Sequence, residues 1–232
     1  MSPGTLLKFV RGMPAPLTPT AFLDLDGPIL DVSLRHYRVY ADSTASLGGT
    51  PISQEAFWSA KRLKTPDLDL LGLSGLLAET AAAYQALKVR AIEAPSYLIH
   101  DRLQPQSKET LQRIAHRYRV ILVTLRHSRR ELENQLAALE LSSYFSLILS
   151  GPAGSRTGWE IKRELVRNAG VVPGPQDFFA GDTETDILAG RALGVTTVGV
   201  CNGIREESIL RQMSPDLIVL TLADLTSTKI LK

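Results

Sequence analysis

This 232-residue sequence has only one cysteine and no long apolar run. Its single cysteine, Cys201, has no partner for an internal disulfide and cannot supply a multi-cysteine metal site. We therefore expect a protein of the reducing cytoplasm, where disulfides are rare. No uninterrupted apolar stretch approaches the roughly twenty residues of a membrane span, so the sequence predicts no membrane partner.

Strong charge of either sign is also missing. The formal net charge is +2, and the basic residues form no long stripe with interleaved aromatics, which argues against a nucleic-acid partner. The first twenty residues hold only short apolar pieces, interrupted by Lys8 and followed by Pro14, Pro16 and Pro19. Because such pieces are too short for a secretory signal, we predict a flexible arm over residues 1–18.

Apolar material for a sizeable core is present. Hydrophobic residues make up 44% and charged residues 22% of the sequence, which is ordinary for a globular protein. Short apolar runs alternate with helical patterns, and their near-continuous hydrophobicity is typical of strands buried on both faces of a parallel sheet. The pattern predicts an α/β fold with strands at residues 21–25, 119–123, 145–149, 178–181, 196–200 and 217–220.

A long segment after the first strand interrupts this alternation. Between Asp31 and about Leu103, helical patterns cover residues 32–47, 53–63 and 75–93, with no convincing strand and an irregular stretch at residues 64–75. We therefore predict a helical domain at residues 32–103, inserted into a core formed by residues 19–31 and 104–232. The hinges are expected near Val32 and Leu103.

Two carboxylates follow the first predicted strand. The strand runs directly into Asp24-Leu-Asp26-Gly27, so both aspartates lie on the same side of the chain at the strand's carboxyl end. Ligands bind at this edge of an open parallel sheet. Two close carboxylates repel unless a cation lies between them or one holds a proton. Taken alone, the pattern also fits a simple turn after a strand.

Three further segments place polar side chains where they could join these aspartates. Thr124 follows a buried strand, Lys162 lies in a helix opened by Thr157, and Asp182 follows another strand, with Asp186 one helical turn later. Each is unremarkable alone, as a turn, a helix cap or a solvated lysine. Together, Asp24, Asp26 and Asp182 form a carboxylate cluster that favours a hard cation such as Mg²⁺.

The order Asp-x-Asp, Thr, Lys, Gly-Asp-x-x-x-Asp resembles the haloacid dehalogenase superfamily, over a match from about Thr20 to about Val200. The helical insertion is similar to that family's type 1 cap, as in phosphoglycolate-phosphatase-like members. The resemblance implies a Rossmann-like core with strand order 5-4-1-2-3 and a cap that closes over the site. It also implies roles: Asp24 as nucleophile, Asp26 as acid/base, Thr124 and Lys162 as phosphate ligands, Asp24, Asp26 and Asp182 as metal ligands, and Asp186 behind them.

These roles predict a Mg²⁺-dependent phosphohydrolase. It would cleave a small phosphorylated metabolite through an aspartyl-phosphate on Asp24, while Asp26 protonates the alcohol and later activates water. Asp26 argues against a dehalogenase, because the family's dehalogenases lack that second aspartate. A phosphomutase uses the same groups and stays open as an alternative, and a non-catalytic phosphate-binding scaffold is the alternative from a different class.

The sequence departs from the family pattern at two places. Pro28 stands where threonine or valine is usual after Asp-x-Asp-Gly, and Leu125-Arg126-His127 follow Thr124 where small or amide residues are commoner. Substrate contacts are therefore not carried over to these positions. We interpret Arg126, Arg129 and Arg130 as solvated arginines that flank a loop. A nearby anion is the alternative, because Arg129 and Arg130 fall in the first turn of their helix, where the dipole disfavours cations. In the insertion, Lys61, Arg62 and Lys64 form a basic cluster, which we interpret as stabilising a helix C-terminus, with substrate contact as the alternative.

Overall fold

The computed structural model describes residues 18–151 and 157–231. Nearly all of the predicted arm at residues 1–18 therefore lies outside the described residues. Within the described ranges, no helix combines the length and the apolar character needed to cross a membrane.

The described strands and helices follow one another in this chain order: β1 (Thr20–Leu23), β2 (Leu30–Asp31), α1 (Ser33–Ser46), α2 (Gln54–Arg62), α3 (Asp67–Leu73), α4 (Ala81–Ala91), α5 (Pro95–Leu98), β3 (Arg102–Leu103), α6 (Ser107–Ala115), β4 (Arg119–Thr124), α7 (Arg129–Ala138), β5 (Leu147–Ser150), α8 (Gly158–Asn168), β6 (Phe178–Gly181), α9 (Glu184–Leu193), β7 (Thr196–Val200), α10 (Glu207–Gln212) and β8 (Leu217–Val219). Short 3₁₀ turns occupy Ala78–Thr80, Ser142–Tyr144 and Leu222–Ser227.

The larger described sheet has the strand order β5-β4-β1-β6-β7-β8, and all of its pairings are parallel. Its first five strands reproduce the order 5-4-1-2-3, read from β7 to β5, and β8 extends the β7 edge. The α/β prediction is confirmed. Because β1 lies between β4 and β6, the residues that follow these three strands meet at one edge of the sheet.

Burial on both faces explains why the strands are almost continuously apolar. Leu23 and Leu122 pack on one face of the sheet, whereas Phe22 and Ile121 pack in a second cluster on the other, and all four are fully buried. Successive side chains of a strand point to opposite faces, so β1 and β4 each contribute to both clusters. The predicted strand at residues 145–149 lies slightly later, at β5.

The helices that flank the site begin and end at recognisable signals. A capping box joins Thr157 and Glu160 at the start of α8, in which side chains satisfy the free amides of the first turn. Gly194 ends α9 with a φ of 74°, a conformation that glycine adopts without a steric penalty. The capping box thus sets the starting point of α8, the helix that carries Lys162.

Helices α1 to α5 lie between the two short strands β2 and β3. These strands pair antiparallel, with Leu30 opposite Leu103, at the positions where we expect the hinges. The helices have a separate apolar cluster, in which Tyr40 and Phe57 stack with ring centroids 4.5 Å apart. The division into a core and a cap stays a prediction, and this separate cluster is consistent with it.

One expectation for the insertion was wrong. The stretch at residues 64–75 is not irregular throughout, because it contains α3. Pro66 immediately precedes this helix, and Asp67 and Asp69 lie in its first turn, where the helix dipole favours carboxylates. The helical pattern at residues 75–93 is confirmed, because the 3₁₀ turn Ala78–Thr80 leads directly into α4. The strands β2 and β3, of two residues each, were too short to produce a pattern.

Candidate active site

Three buried aspartates meet at the carboxyl edge of the sheet. Asp24 follows β1, Asp182 follows β6, and Asp186 lies in the first turn of α9. Each offers one carboxylate oxygen, and these oxygens lie within 4.8 Å of one another. Thr124 ends the neighbouring strand β4 and is 2% exposed. The structure therefore brings four of the six predicted site residues to one place.

Lys162 joins this cluster from α8 and is the fifth. Its Nζ lies 3.0 Å from Asp24 Oδ1 and 2.5 Å from Asp186 Oδ1, and its side chain is 2% exposed. Although burial alone would lower the pKa of Lys162, Asp186 and Asp24 outweigh it and raise that pKa above its usual range. Lys162 is thus a buried ammonium that holds the nucleophile candidate in place.

Asp186 supports the site from behind. One of its oxygens binds Lys162, and the other accepts hydrogen bonds from the Thr183 amide at 3.1 Å and the Thr183 hydroxyl at 2.8 Å. With both oxygens engaged, Asp186 has little capacity for direct metal coordination. This contact pattern is consistent with the supporting role expected for it.

Asp182 is held by a close backbone environment. Its Oδ2 accepts a hydrogen bond from the Ile204 amide. A Cβ atom at Gly27 would lie 1.9 Å from this oxygen, and one at Gly203 would lie 2.0 Å from it. Only glycine therefore fits at these two positions. The other oxygen, Oδ1, is buried without a hydrogen-bond partner in the part of the chain that the structure describes.

This unpartnered oxygen and the local charge fit a hard cation. A buried carboxylate oxygen without a partner is unfavourable, and three carboxylates here face the single ammonium of Lys162. Burial raises the pKa of Asp24 to about 7, opposed by Lys162. Burial, with Asp24 and Asp186 nearby, raises the pKa of Asp182 well above its usual range. Asp24 and Asp182 could hold a divalent cation, which would favour their ionised forms.

Asp26, the sixth predicted residue, is not part of the three-carboxylate cluster, although it lines the same cavity as Asp24, Thr124 and Lys162. Its carboxylate accepts two hydrogen bonds from Arg126, at 2.8 and 2.7 Å, and a third from Arg35 at 2.7 Å. Burial alone would raise the pKa of Asp26, but Arg126 and Arg35 outweigh it and hold that pKa well below its usual range. The side chain is therefore ionised and bound to the two arginines.

Our interpretation of Arg126 as a solvated arginine was wrong. It is 4% exposed and binds Asp26 and Asp101, and Arg35 on α1 binds the same two aspartates. The four side chains form a charge-balanced network between the insertion and the sheet. Nothing local in the sequence distinguishes Arg35 or Asp101 from surface residues, because their partners are distant along the chain.

A cavity of about 310 Å³ opens over Asp24. Thr124 and Lys162 line its floor, and Arg35 and His36 of α1 contribute to its wall. Thr124 Oγ1 accepts a long hydrogen bond, 3.4 Å, from the Arg126 amide, and no other hydrogen bond of this hydroxyl is found among the described residues. Its hydroxyl is therefore well placed to bind an anion above Asp24.

Comparison with known proteins decides the family. A family model described as haloacid dehalogenase-like hydrolase matches residues 22–200, which is more than half of the chain. The chain belongs to this family. The resemblance on which the site residues were assigned is thereby confirmed, and the matched residues include every member of the carboxylate cluster.

Curated relatives match part of the chain. A phosphoglycolate phosphatase from Haemophilus influenzae is 30% identical over 128 residues, covering 54% of this chain and 57% of that protein. One from Photorhabdus laumondii is 32% identical over 101 residues, covering 40% of each chain. The chain thus matches only about half the length of these curated relatives.

Solved structures of the family share the fold over a longer span. A haloacid dehalogenase-like hydrolase from Streptococcus pneumoniae superposes with a TM-score of 0.73, covering 90% of this chain and 98% of that one. The sequence identity is 19%. At that identity the similarity establishes the fold alone.

Proposed function

We propose that this protein is a Mg²⁺-dependent phosphatase that hydrolyses a small phosphomonoester through an aspartyl-phosphate on Asp24. The observation that carries the proposal is the setting of Asp24 at the end of β1. Its Oδ1 accepts hydrogen bonds from the Leu25 amide at 2.8 Å and from Lys162 at 3.0 Å. Oδ2 takes no part in either bond, and a carboxylate fixed through one oxygen is oriented to attack with the other.

In the first step, an oxygen of Asp24 bonds to phosphorus while the bond from phosphorus to the alcohol oxygen breaks. Water then attacks the phosphorus of the aspartyl-phosphate, which releases inorganic phosphate and restores Asp24. Lys162 and the Thr124 hydroxyl would bind the oxygens of the phosphoryl group, where negative charge must be neutralised. Burial of Lys162 strengthens this interaction, because the surrounding dielectric is low.

Asp24 and Asp182 would hold the Mg²⁺. When bound, the cation neutralises charge on the two carboxylates and on the phosphoryl oxygens. Asp186 would keep Lys162 in place through its 2.5 Å contact. Asp26, which was also a predicted metal ligand, engages arginines with both oxygens, so we do not include its side chain in the metal site.

We retain Asp26 as the candidate acid and base, with one condition. An acid must carry a proton to the departing alcohol. Because Arg126 and Arg35 outweigh burial and hold the pKa of Asp26 well below its usual range, Asp26 must lose part of this charge stabilisation before it can carry a proton. Arg35 lies on α1, so movement of this helix relative to the sheet would release one contact.

The choice of substrate to test comes from the curated relatives. Two of them are named phosphoglycolate phosphatases, which makes phosphoglycolate the first compound to test. The cavity over Asp24 has a volume of about 310 Å³, which suits a small phosphorylated metabolite.

The experiment compares the parent protein with Asp24→Asn, which preserves shape and removes the nucleophile. Release of inorganic phosphate is measured from phosphoglycolate and from an aryl phosphate, with and without Mg²⁺. Asp69→Asn is the matched control, because it makes the same change at an exposed residue of α3. We expect the control to keep full activity and Asp24→Asn to keep less than about one per cent.

Three other outcomes would contradict the proposal. More than a few per cent of activity in Asp24→Asn would remove the nucleophile assignment. An isomerised sugar phosphate in place of free phosphate would identify a mutase. Binding of phosphate esters without any turnover, on a panel of phosphorylated metabolites, would favour the non-catalytic scaffold.

A further inference from the structure

The C-terminal end of α2 is hydrogen-bonded to the loop at residues 201–206, which we call the β7–α10 loop. Arg62 Nη1 donates to Gly203 O at 2.6 Å, and Arg62 Nη2 donates to Cys201 O at 2.8 Å. In the opposite direction, the Glu206 amide donates to Arg62 O at 3.3 Å. Carbonyl groups at a helix C-terminus lack partners within the helix. The Glu206 amide therefore satisfies the Arg62 carbonyl of α2, and the Arg62 side chain satisfies two carbonyls of the loop.

The same loop holds the carboxylate of Asp182. The Ile204 amide donates to Asp182 Oδ2, and the Gly203 backbone lies too close to this oxygen to leave room for any side chain. The orientation of Asp182 therefore depends on where residues 203 and 204 lie. Arg62 binds the carbonyl oxygen of Gly203, which belongs to the same planar peptide group as the Ile204 amide that holds the carboxylate.

Arg62 has a geometry that its basic neighbours lack. A guanidinium group donates in two parallel directions and can bind two carbonyls at once, whereas an ammonium acts as a single point charge. Lys64 also links the insertion to the sheet, through a 2.7 Å ion pair with Glu184. Glu184 lies on α9 and also binds Arg205 of the β7–α10 loop at 3.1 Å. Lys64 therefore acts on the loop through this shared carboxylate, whereas Arg62 binds the loop backbone directly, and mutation of Lys64 tests the indirect contact.

We infer that Arg62 is a positioning residue for the metal site: it holds the β7–α10 loop so that Asp182 presents its free oxygen to the cation. The inference rests on the proposed function, because it takes Asp182 as a ligand of a divalent cation. It also couples two parts of the molecule. Because linkage is reciprocal, a cation on Asp182 would stabilise the contact of α2 with the loop.

The size of the effect follows from the behaviour of groups that orient metal ligands. Removing such a group lowers metal affinity by about 10- to 100-fold. We therefore expect Arg62→Met to bind a divalent cation at least about tenfold more weakly than the parent. Arg62→Lys can restore one of the two carbonyl contacts and should lie between them.

The test measures Mn²⁺ binding to the full chain by calorimetry, at constant pH and without phosphate. Mn²⁺ serves as the probe because it takes the oxygen ligands that Mg²⁺ takes. The variants are Arg62→Met, Arg62→Lys and the matched control Lys64→Met, which also removes a cation between the insertion and the sheet. We expect Lys64→Met to bind Mn²⁺ within about twofold of the parent.

The outcomes separate this inference from the proposed function. If the parent binds no Mn²⁺, the metal site of the proposed function is wrong. If the parent binds Mn²⁺ and Arg62→Met binds it equally well, Arg62 has no positioning role. Equal weakening by Lys64→Met would also overturn the inference, since any loosening of the insertion would then suffice. Should Arg62→Met fail to fold, Arg62→Lys supplies the measurement, and parent-like affinity there is the contrary result.

Discussion

Arg126 and Asp26 are joined by two parallel hydrogen bonds, from Nε to Oδ2 at 2.8 Å and from Nη2 to Oδ1 at 2.7 Å. The two residues are 100 positions apart in the chain. This two-pronged geometry is the strongest form of an arginine–carboxylate contact. It holds the candidate acid of the site in its ionised form and ties the segment after β4 to the segment after β1.

Loss of this contact should destabilise the fold. Arg126→Met leaves a largely buried carboxylate with one arginine instead of two, and we expect the free energy of unfolding in urea to fall by about 3 kcal/mol. Arg130→Met is the control, because its side chain is 87% exposed and should change stability by less than about 0.5 kcal/mol. In the double variant Asp26→Asn/Arg126→Met, the loss should be smaller than the sum of the single losses. Strict additivity would show that the two residues do not stabilise each other.

Asp26→Asn should affect substrates according to their leaving group. An alkyl alcohol needs a proton to depart, so hydrolysis of an alkyl phosphate should be lost. An aryl phosphate needs little protonation, so its first step should partly survive while water attack stays slow, and phosphoenzyme on Asp24 should accumulate. Rapid quench followed by intact mass measurement would detect this species. Equal loss on both substrates without trapped phosphoenzyme would leave Asp26 as the structural partner of Arg35 and Arg126.

Gly203→Ala should disturb the metal site. The added Cβ would lie 2.0 Å from Asp182 Oδ2, so the carboxylate or the β7–α10 loop must move. We expect Mn²⁺ affinity to fall at least about tenfold. Gly72→Ala is the matched control, because a Cβ there meets no atom of the described residues within 4 Å. It lies within α3 and should stabilise the protein by up to about 1 kcal/mol. Parent-like Mn²⁺ affinity in Gly203→Ala would show that Asp182 is not a ligand.

The stabilisation by Mg²⁺ should depend on pH. Without the cation, burial raises the pKa of Asp24 from 3.8 to about 7, so the folded protein retains a proton that the unfolded chain releases. This contribution to stability is fully present below about pH 4 and is lost as the pH rises through about 7. Because Mg²⁺ replaces the proton, its effect on Tm should be larger at pH 8 than at pH 5.5. Calorimetric unfolding at both pH values measures this, and equal shifts would contradict a metal site at Asp24.

Local patterns were sufficient for most of the fold. The apolar runs predicted the strands of the larger sheet, because strands buried on both faces need apolar residues at almost every position. Thr157 predicted the start of the helix that carries Lys162, since a capping signal acts within one turn. Local patterns were misleading at residues 64–75. Pro66, Asp67 and Asp69 begin a helix there, although these residue types are equally common in loops.

In the candidate site, the sequence determined the positions of the residues along the chain, and only the tertiary structure determined their partners. That Asp24, Thr124 and Asp182 follow strands is a local property, and parallel strands bring their carboxyl ends to one edge of the sheet. Which partner each side chain meets there is not local. Asp26 lies two residues from Asp24, yet its carboxylate binds Arg35 and Arg126. Such pairings depend on how the insertion packs against the sheet, because they join residues whose separation in space is set only when distant segments fold together.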